Sequence, residues 1–200
     1  MLTSTVVGLE IPSAGPVFAV ALGVHVIGGM WSVITGALAA TARKRPGRHP
    51  RAGLLYVWGI GVVFVTAAVM ATIRWREDAH LFAIAVVAAG LAAIGWFFRP
   101  TRRPSYFTWH AVGMGGSYIA LLTGFYVDNG PQLPLWKLLP HWMYWALPIS
   151  IGAPLVLLAL RRFRTGISAR PSVAARSDEP ARSQEQPESR SDPLRRAESH

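Results

Sequence analysis

Histidine is the residue type in this chain most able to do chemistry, and six histidines occur among its 200 residues. His110 lies in an apolar stretch, 105–127, that carries no formal charge. An ionisable side chain in such a stretch is costly in hydrocarbon, so it usually faces other protein and marks a candidate functional site. His25 lies in a similar stretch nearer the N-terminus. Imidazoles in these surroundings can ligate haem iron or carry protons.

The distribution of charge predicts an all-α integral membrane helical bundle. Formal charges are absent from 11–42 and from 52–73, while Lys and Arg cluster between the apolar runs. These runs are apolar on every helical face, whereas a soluble helix has one polar face. We predict five transmembrane helices, at about 17–42, 52–73, 79–98, 105–127 and 138–160, in a bundle that occupies residues 1–164.

The composition changes from residue 165 onwards, where Ser, Arg, Glu, Pro and Gln dominate. A segment with so few apolar residues cannot bury enough surface to offset the entropy of ordering. We therefore predict that residues 165–200 form a disordered cytoplasmic tail.

The basic residues between the apolar runs predict the orientation. The loops after the first, third and fifth runs are rich in Lys and Arg, whereas those after the second and fourth contain Glu77, Asp78 and Asp128. Basic loops stay in the cytoplasm. We expect a bacterial inner-membrane protein with its N-terminus outside and its C-terminus inside. The net charge of +10 then reflects topology, so the expected partner is the lipid bilayer and not nucleic acid.

The chain contains no cysteine, which excludes disulfides, thiolate catalysis, iron–sulfur clusters and Cys-ligated metals. The sequence favours a multi-pass membrane protein of unassigned function with buried histidines. A small b-type haem protein is one alternative, and a proton- or metal-coupled transporter is another. Against transport, no predicted span contains Asp, Glu, Lys or Arg, the residues that usually mark an ion pathway.

The candidate haem ligands are His25, His49 and His110, and their depths restrict how they pair. His25 lies about 12 Å from the outer end of its span, and His110 about 8 Å from the inner end of its own. In a core of roughly 30 Å their depths differ by about 10 Å, which is too much for one shared iron. Depth instead pairs His49 with His110 on the inner side, and His25 with His80 or His141 on the outer side.

A metal site at the outer boundary is a further possibility on composition alone. His80, His141 and Asp128 lie there, and imidazole and carboxylate suit zinc or iron. No ligand motif of diagnostic spacing joins them, and the sequence favours a hydrated rim of polar residues over a metal site.

Small residues form a stripe along one face of the first predicted helix, at intervals of four: Gly28, Ser32, Gly36 and Ala40. Such a stripe allows two helix backbones to approach closely. It predicts either a packing seam within the bundle or a homo-oligomer formed through this face.

Two motifs resemble a known family. His49-Pro-Arg-Ala-Gly53-Leu-Leu-Tyr56 and His110-x-x-x-Met114-x-x-Ser117-Tyr118 are similar to segments of the bacterial multi-pass membrane proteins catalogued as domain of unknown function 2306. The family pattern has Arg where this chain has Pro50, Ala111 and Gly116. The resemblance implies a membrane location and no particular reaction.

The orientation can be tested directly, because no native cysteine interferes. Single cysteines at Ser4, Glu77 and Gln132 should react with a membrane-impermeant maleimide applied to the periplasmic side. Cysteines at Gly47, Thr101 and Ser183 should stay unlabelled in intact cells. Labelling of a cysteine at position 47 without permeabilisation would show that the predicted orientation is wrong.

Overall fold

The computed structural model describes residues 3–6, 9–12, 15–42, 47–99, 104–134 and 136–168. This part of the chain confirms the predicted all-α bundle. Its long helices are α1 (Pro16–Thr41), α2 (Arg48–Ile73), α3 (Trp75–Phe97), α4 (Pro104–Asn129) and α5 (Trp142–Ser168). Two short antiparallel strands, β1 (Thr3–Val6) and β2 (Leu9–Pro12), precede α1. Single 3-10 turns at Gly130–Gln132 and Trp136–Leu138 lie between α4 and α5.

The helices extend beyond the apolar runs at several ends. α2 and α3 each begin four residues before the predicted span, because a helix continues through the interfacial residues that an apolar run excludes. The first turn of α3 contains Glu77 and Asp78, where the helix dipole favours negative charge. α5 begins four residues later than predicted, since Pro140 disfavours helix for the residue before it.

Four of the described helices, α1, α2, α3 and α5, are long and apolar enough to cross a membrane. α4 is not among them, although it has 26 residues. Its glycines, tyrosines, His110 and Ser117 lower its apolar character, as expected of a helix that packs against several neighbours. Contacts of α4 reach α1, α3 and α5.

The chain divides into two compact units, Met1–Arg161 and Arg162–His200. In the first unit, α1 packs on α2, α2 on α3, α3 on α4 and α4 on α1. This ring makes α2 and α4 diagonal partners. Of the second unit the structure describes the end of α5, to Ser168. The predicted disordered tail begins at residue 165, but the helix continues to Ser168, four residues into that segment. The rest of the predicted tail, 169–200, lies outside the described residues.

The small-residue stripe of α1 is a packing seam within the chain. Gly28 faces Val62 and Val63 of α2, and a Cβ on Gly36 would lie within 3.0 Å of two tyrosine rings, those of Tyr56 and Tyr118. Ser32 is fully buried, whereas Ala40 is exposed. The chain's own helices therefore occupy the surface that the oligomer interpretation requires, and association through it would first have to open these contacts.

Tyr56 lies at the centre of the ring. With Ile60 and Val63 of α2, Ala92 of α3 and Leu121 of α4, it forms the buried apolar cluster. Many large apolar side chains on the outer faces are exposed, as lipid-facing residues are.

The seam can be tested with a matched pair of glycines on α1. Gly36→Val should lower the free energy of unfolding by about 1–3 kcal/mol, the usual cost of overpacking, because the new Cβ meets two rings. Gly29→Val adds the same atoms where nothing lies within 4 Å, so its effect should stay within about 0.5 kcal/mol. Unfolding in detergent, followed by circular dichroism, measures both. Equal effects would contradict the seam.

Candidate functional site

The imidazole rings of His49 and His110 lie side by side across the bundle. Their centroids are 6.3 Å apart and their planes are inclined by 75°. His49 is in the first turn of α2, His110 is in the second turn of α4, and both are half-buried. The structure confirms the pairing that their common depth predicts.

A second contact shows that α2 and α4 run parallel. The hydroxyls of Tyr56 and Ser117 are 2.7 Å apart, and both residues are almost completely buried, with exposed fractions of 2% and 0%. Tyr56 and Ser117 are 61 positions apart in sequence, as are His49 and His110. In each helix the second contact comes seven residues after the first. The Tyr56–Ser117 pair therefore lies about 10 Å deeper in the bundle than the His49–His110 pair.

Each imidazole is fixed by the helix that precedes its own. The Nδ1–H of His49 donates to the carbonyl oxygen of Ala39 at 2.8 Å, and that of His110 donates to Gly95 at 2.7 Å. Ala39 and Gly95 each lie two residues before the last residue of their helix, α1 and α3. The last four carbonyls of a helix lack an intrahelical donor, so the histidines satisfy groups that a membrane interior would otherwise leave unpaired.

These two hydrogen bonds determine the chemistry that the rings can perform. In a neutral imidazole with its proton on Nδ1, the lone pair is on Nε2. A carbonyl acceptor at Nδ1 also fixes the orientation of the ring and makes Nε2 a better ligand. Both rings therefore have the tautomer and the support that metal-binding histidines commonly have.

Space is present on the face of α2 between the two contacts. Gly53 lies one turn after His49 and one turn before Tyr56, on the stripe that faces the bundle interior. A Cβ on Gly53 would nevertheless find no other atom within 4 Å. On the flanking helices the packing is close: Ala39 is buried, and a Cβ on Gly95 would lie 2.7 Å from Met114 of α4.

A second tyrosine closes the deeper side of this space. The ring of Tyr118 is 6.1 Å from that of Tyr56, and its hydroxyl donates to the carbonyl oxygen of Val33 at 3.1 Å. The Tyr56–Ser117 pair and Tyr118 thus form a polar layer across α1, α2 and α4. Beyond it lies the apolar cluster.

His25 belongs to the other end of the bundle. Its Nδ1 is 2.9 Å from the hydroxyl oxygen of Thr66, which itself donates to Val62. The hydroxyl proton is therefore engaged, so His25 donates. Because Thr66 is 17 residues after His49 in α2, the two sites are about 25 Å apart along the helix. The structure does not bring His25 together with His110 or His49.

The three residues of the candidate metal site are not assembled. His80 and His141 are exposed, and His141 lies edge-on to Tyr144. Asp128 is within electrostatic reach of His25 and His80. Among the described residues, however, no three His, Asp or Glu side chains are grouped as a metal ion would require.

Comparison of the chain with protein-family models, with curated proteins and with solved structures found no match in any of the three. The family resemblance therefore rests on its two motifs, whose histidines and whose Tyr56 and Ser117 meet in the structure. At one position of departure, Gly116, a Cβ would lie 3.1 Å from Leu91. An arginine at this position would have to move the Leu91 side chain of α3.

The sequence does not single out the Tyr56–Ser117 contact for chemistry, nor the carbonyl groups of Ala39 and Gly95. The Tyr56–Ser117 contact could have been predicted, because each motif has a residue with a hydroxyl group seven positions after its histidine. Equal spacing on two helices of the same predicted direction indicates two contacts in one register. Backbone carbonyls leave no such signal, because every residue has one.

A double-mutant cycle tests the parallel register. Ser117→Ala should destabilise the bundle because the buried Tyr56 hydroxyl loses its partner, and Tyr56→Phe should remove most of that penalty. The coupling should be about 0.6–1.7 kcal/mol, as for hydrogen bonds between membrane helices. Unfolding in detergent measures it. Ser150→Ala, on an exposed hydroxyl of α5, serves as the control, and zero coupling would contradict the contact.

Proposed function

We propose that this protein is a b-type haem-binding membrane redox protein, in which His49 and His110 would hold the iron of one haem. The 6.3 Å separation of the two rings carries the proposal. Haem would supply one-electron chemistry at this end of the bundle. The residues of the chain would hold the iron, fix both ligands and exclude water from the deeper side.

The separation matches that of two imidazoles on opposite sides of one metal. A metal–imidazole bond is about 2.0 Å long and the ring centroid lies about 1.1 Å beyond the nitrogen, so the two centroids are about 6.2 Å apart. Rotation about the metal–nitrogen bonds sets the angle between the ring planes. The observed 75° is therefore compatible with this geometry.

The number of protein ligands favours haem over a bare metal ion. Zinc and similar ions usually take at least three protein ligands, whereas no third His, Asp or Glu joins the pair within the described part of the chain. A porphyrin supplies four nitrogens itself and needs only two axial groups. Two imidazoles on diagonal helices of a four-helix ring provide them, and bundle cores commonly hold cofactors between facing helices.

The surroundings support a flat macrocycle. The open position at Gly53 is one turn deeper than His49, about 6 Å along the helix axis. The Tyr56–Ser117 pair limits the space about 10 Å below the histidine pair. A cofactor held by the two histidines would therefore have its nearest open space beside Gly53.

The proposal includes the location of the protein. α4 would cross the membrane as a fifth span, shielded by α1, α3 and α5. The basic loops would place the haem near the cytoplasmic face of a bacterial inner membrane. Membership of the family catalogued as domain of unknown function 2306 is also proposed, on the two motifs.

The absorption spectrum tests the proposal. Protein expressed with ample haem supply should show a Soret band that shifts on reduction with dithionite. His49→Ala and His110→Ala should each remove this band or convert it to that of a five-coordinate haem, while the protein still inserts into the membrane. One imidazole is a small part of the packing of the bundle.

Two histidines serve as controls for the same measurement. His25→Ala removes a half-buried histidine at the far end, and His141→Ala removes an exposed one; neither should change the spectrum. A wild-type protein without a Soret band would mean that the two rings make only an edge-to-face packing contact, and the haem proposal would be abandoned.

A further inference from the structure

The C-terminal end of α3 carries a guanidinium group that is held in one position. The guanidinium of Arg99 lies 3.9 Å from the centroid of the Trp96 ring, and its Nε donates to the carbonyl oxygen of Trp96 at 3.0 Å. Both contacts are favourable here, because the last carbonyls of a helix lack intrahelical donors and the helix dipole attracts positive charge. Arg99 is exposed, yet these contacts restrict the rotamers that it would otherwise sample before a ligand binds.

The contacts with Trp96 leave most of the hydrogen-bonding capacity of Arg99 unused. A guanidinium has five N–H groups, and four of them are on the two Nη atoms. Within the described part of the chain, none of these four donates to an acceptor. A planar guanidinium with free Nη groups binds the oxygens of an anion such as phosphate in bidentate fashion. Arg99 is therefore oriented in advance for an oxyanion.

Aromatic residues with polar groups surround the neighbouring residue, Phe98. Its ring centroid lies 5.6 Å from that of Tyr106 and 5.9 Å from that of Trp109, both in α4. No hydrogen bond between described residues engages the indole N–H groups of Trp96 and Trp109 or the hydroxyl of Tyr106. Tyr and Trp side chains of this kind are typical of the boundary between hydrocarbon and lipid headgroups. We therefore place the end of α3 at the level of the headgroups.

Charge at this end of the bundle favours an anionic partner. The acidic residues of α3, Glu77 and Asp78, are in its first turn, at the opposite end of the helix. A headgroup with net negative charge is attracted to such a surface, whereas a zwitterionic headgroup brings a positive charge of its own. Asp and Glu are absent from the sequence segments that form this end of the five helices: 36–62, 91–115 and 150–161.

A large apolar side chain beside Arg99 distinguishes a lipid from free phosphate. Phe97, the last residue of α3, is 82% exposed. An acyl chain that continues from a phosphate at Arg99 can cover this ring, and the burial of apolar surface adds to the binding free energy. Inorganic phosphate gains nothing from Phe97.

We propose that Arg99, held by Trp96, binds the phosphodiester of an anionic phospholipid at the C-terminal end of α3. The phosphate oxygens accept from the two Nη groups, and an acyl chain lies against Phe97. The glycerol and ester oxygens are then at the level of the polar groups of Tyr106 and Trp109. This lipid site goes beyond the proposed haem function and does not depend on it.

Native mass spectrometry of the full-length protein in detergent tests the proposal, because it measures the binding constant of the first lipid. Phosphatidylglycerol and phosphatidylcholine of equal chain length are the anionic and zwitterionic probes. Arg99→Gln should lower the binding constant for phosphatidylglycerol about fivefold, the usual contribution of one arginine near a membrane surface. Binding of phosphatidylcholine should change by less than about twofold, which also shows that the variant is folded.

Two further variants separate the held guanidinium from its charge. Arg76→Gln removes the same charge from an exposed residue at the opposite end of α3, and it should leave both binding constants unchanged. Trp96→Leu keeps the charge of Arg99 but removes the ring that fixes it. Binding of phosphatidylglycerol should then weaken about two- to fivefold, as expected for the loss of an exposed cation–π contact.

Three results would overturn the proposal. Equal losses in Arg99→Gln and Arg76→Gln, or full binding by Trp96→Leu, would show that charge alone attracts the lipid. Equal losses of the two lipids in Arg99→Gln would show that the substitution acts through packing. Inorganic phosphate in large excess should not displace phosphatidylglycerol, and displacement would mean that Arg99 binds phosphate without the acyl chains.

Discussion

The parallel contact between α2 and α4 is the constraint on which the rest of the structure depends. Two helices on a diagonal of a four-helix ring depend mainly on side-chain contacts to fix their relative height along the bundle. Here the buried hydrogen bond between Tyr56 and Ser117 fixes that height. The rings of Tyr56 and Tyr118 also pack against Gly36 of α1, which keeps α2 and α4 close together. With the height fixed at this level, the histidines two turns away are brought to the same depth.

The hydrogen bonds of the histidines belong to the same arrangement. A membrane interior offers no water to satisfy polar groups, so buried groups must find partners within the protein. In the described part of the chain, no buried side-chain nitrogen or oxygen lacks a hydrogen-bond partner. At the ends of α1 and α3, His49 and His110 supply the donors. Each of these contacts thus satisfies a carbonyl at a helix end and fixes the orientation of an imidazole ring.

Much of the architecture could be predicted from the sequence, because apolar runs and basic clusters report directly on burial in lipid. The pairing of His49 with His110 followed from their depth alone, since depth is set by position along a helix. The neighbours of the stripe Gly28, Ser32 and Gly36 could not be predicted in this way: small residues indicate close approach but not which helix approaches. The observed first residues of α2, α3 and α5 also differ from the predicted ones. Hydropathy indicates which residues lie in hydrocarbon, not where the hydrogen bonding of a helix begins.

The electron paramagnetic resonance spectrum of the haem-loaded ferric protein tests most directly whether His49 of α2 and His110 of α4 bind the same iron. Haem iron that is held by two imidazoles is low-spin, so the wild type should show a low-spin signal if both histidines hold it. Removal of either imidazole, in His49→Ala or His110→Ala, should convert it to high spin. A low-spin signal that persists in both variants, or a high-spin wild type, would contradict the account.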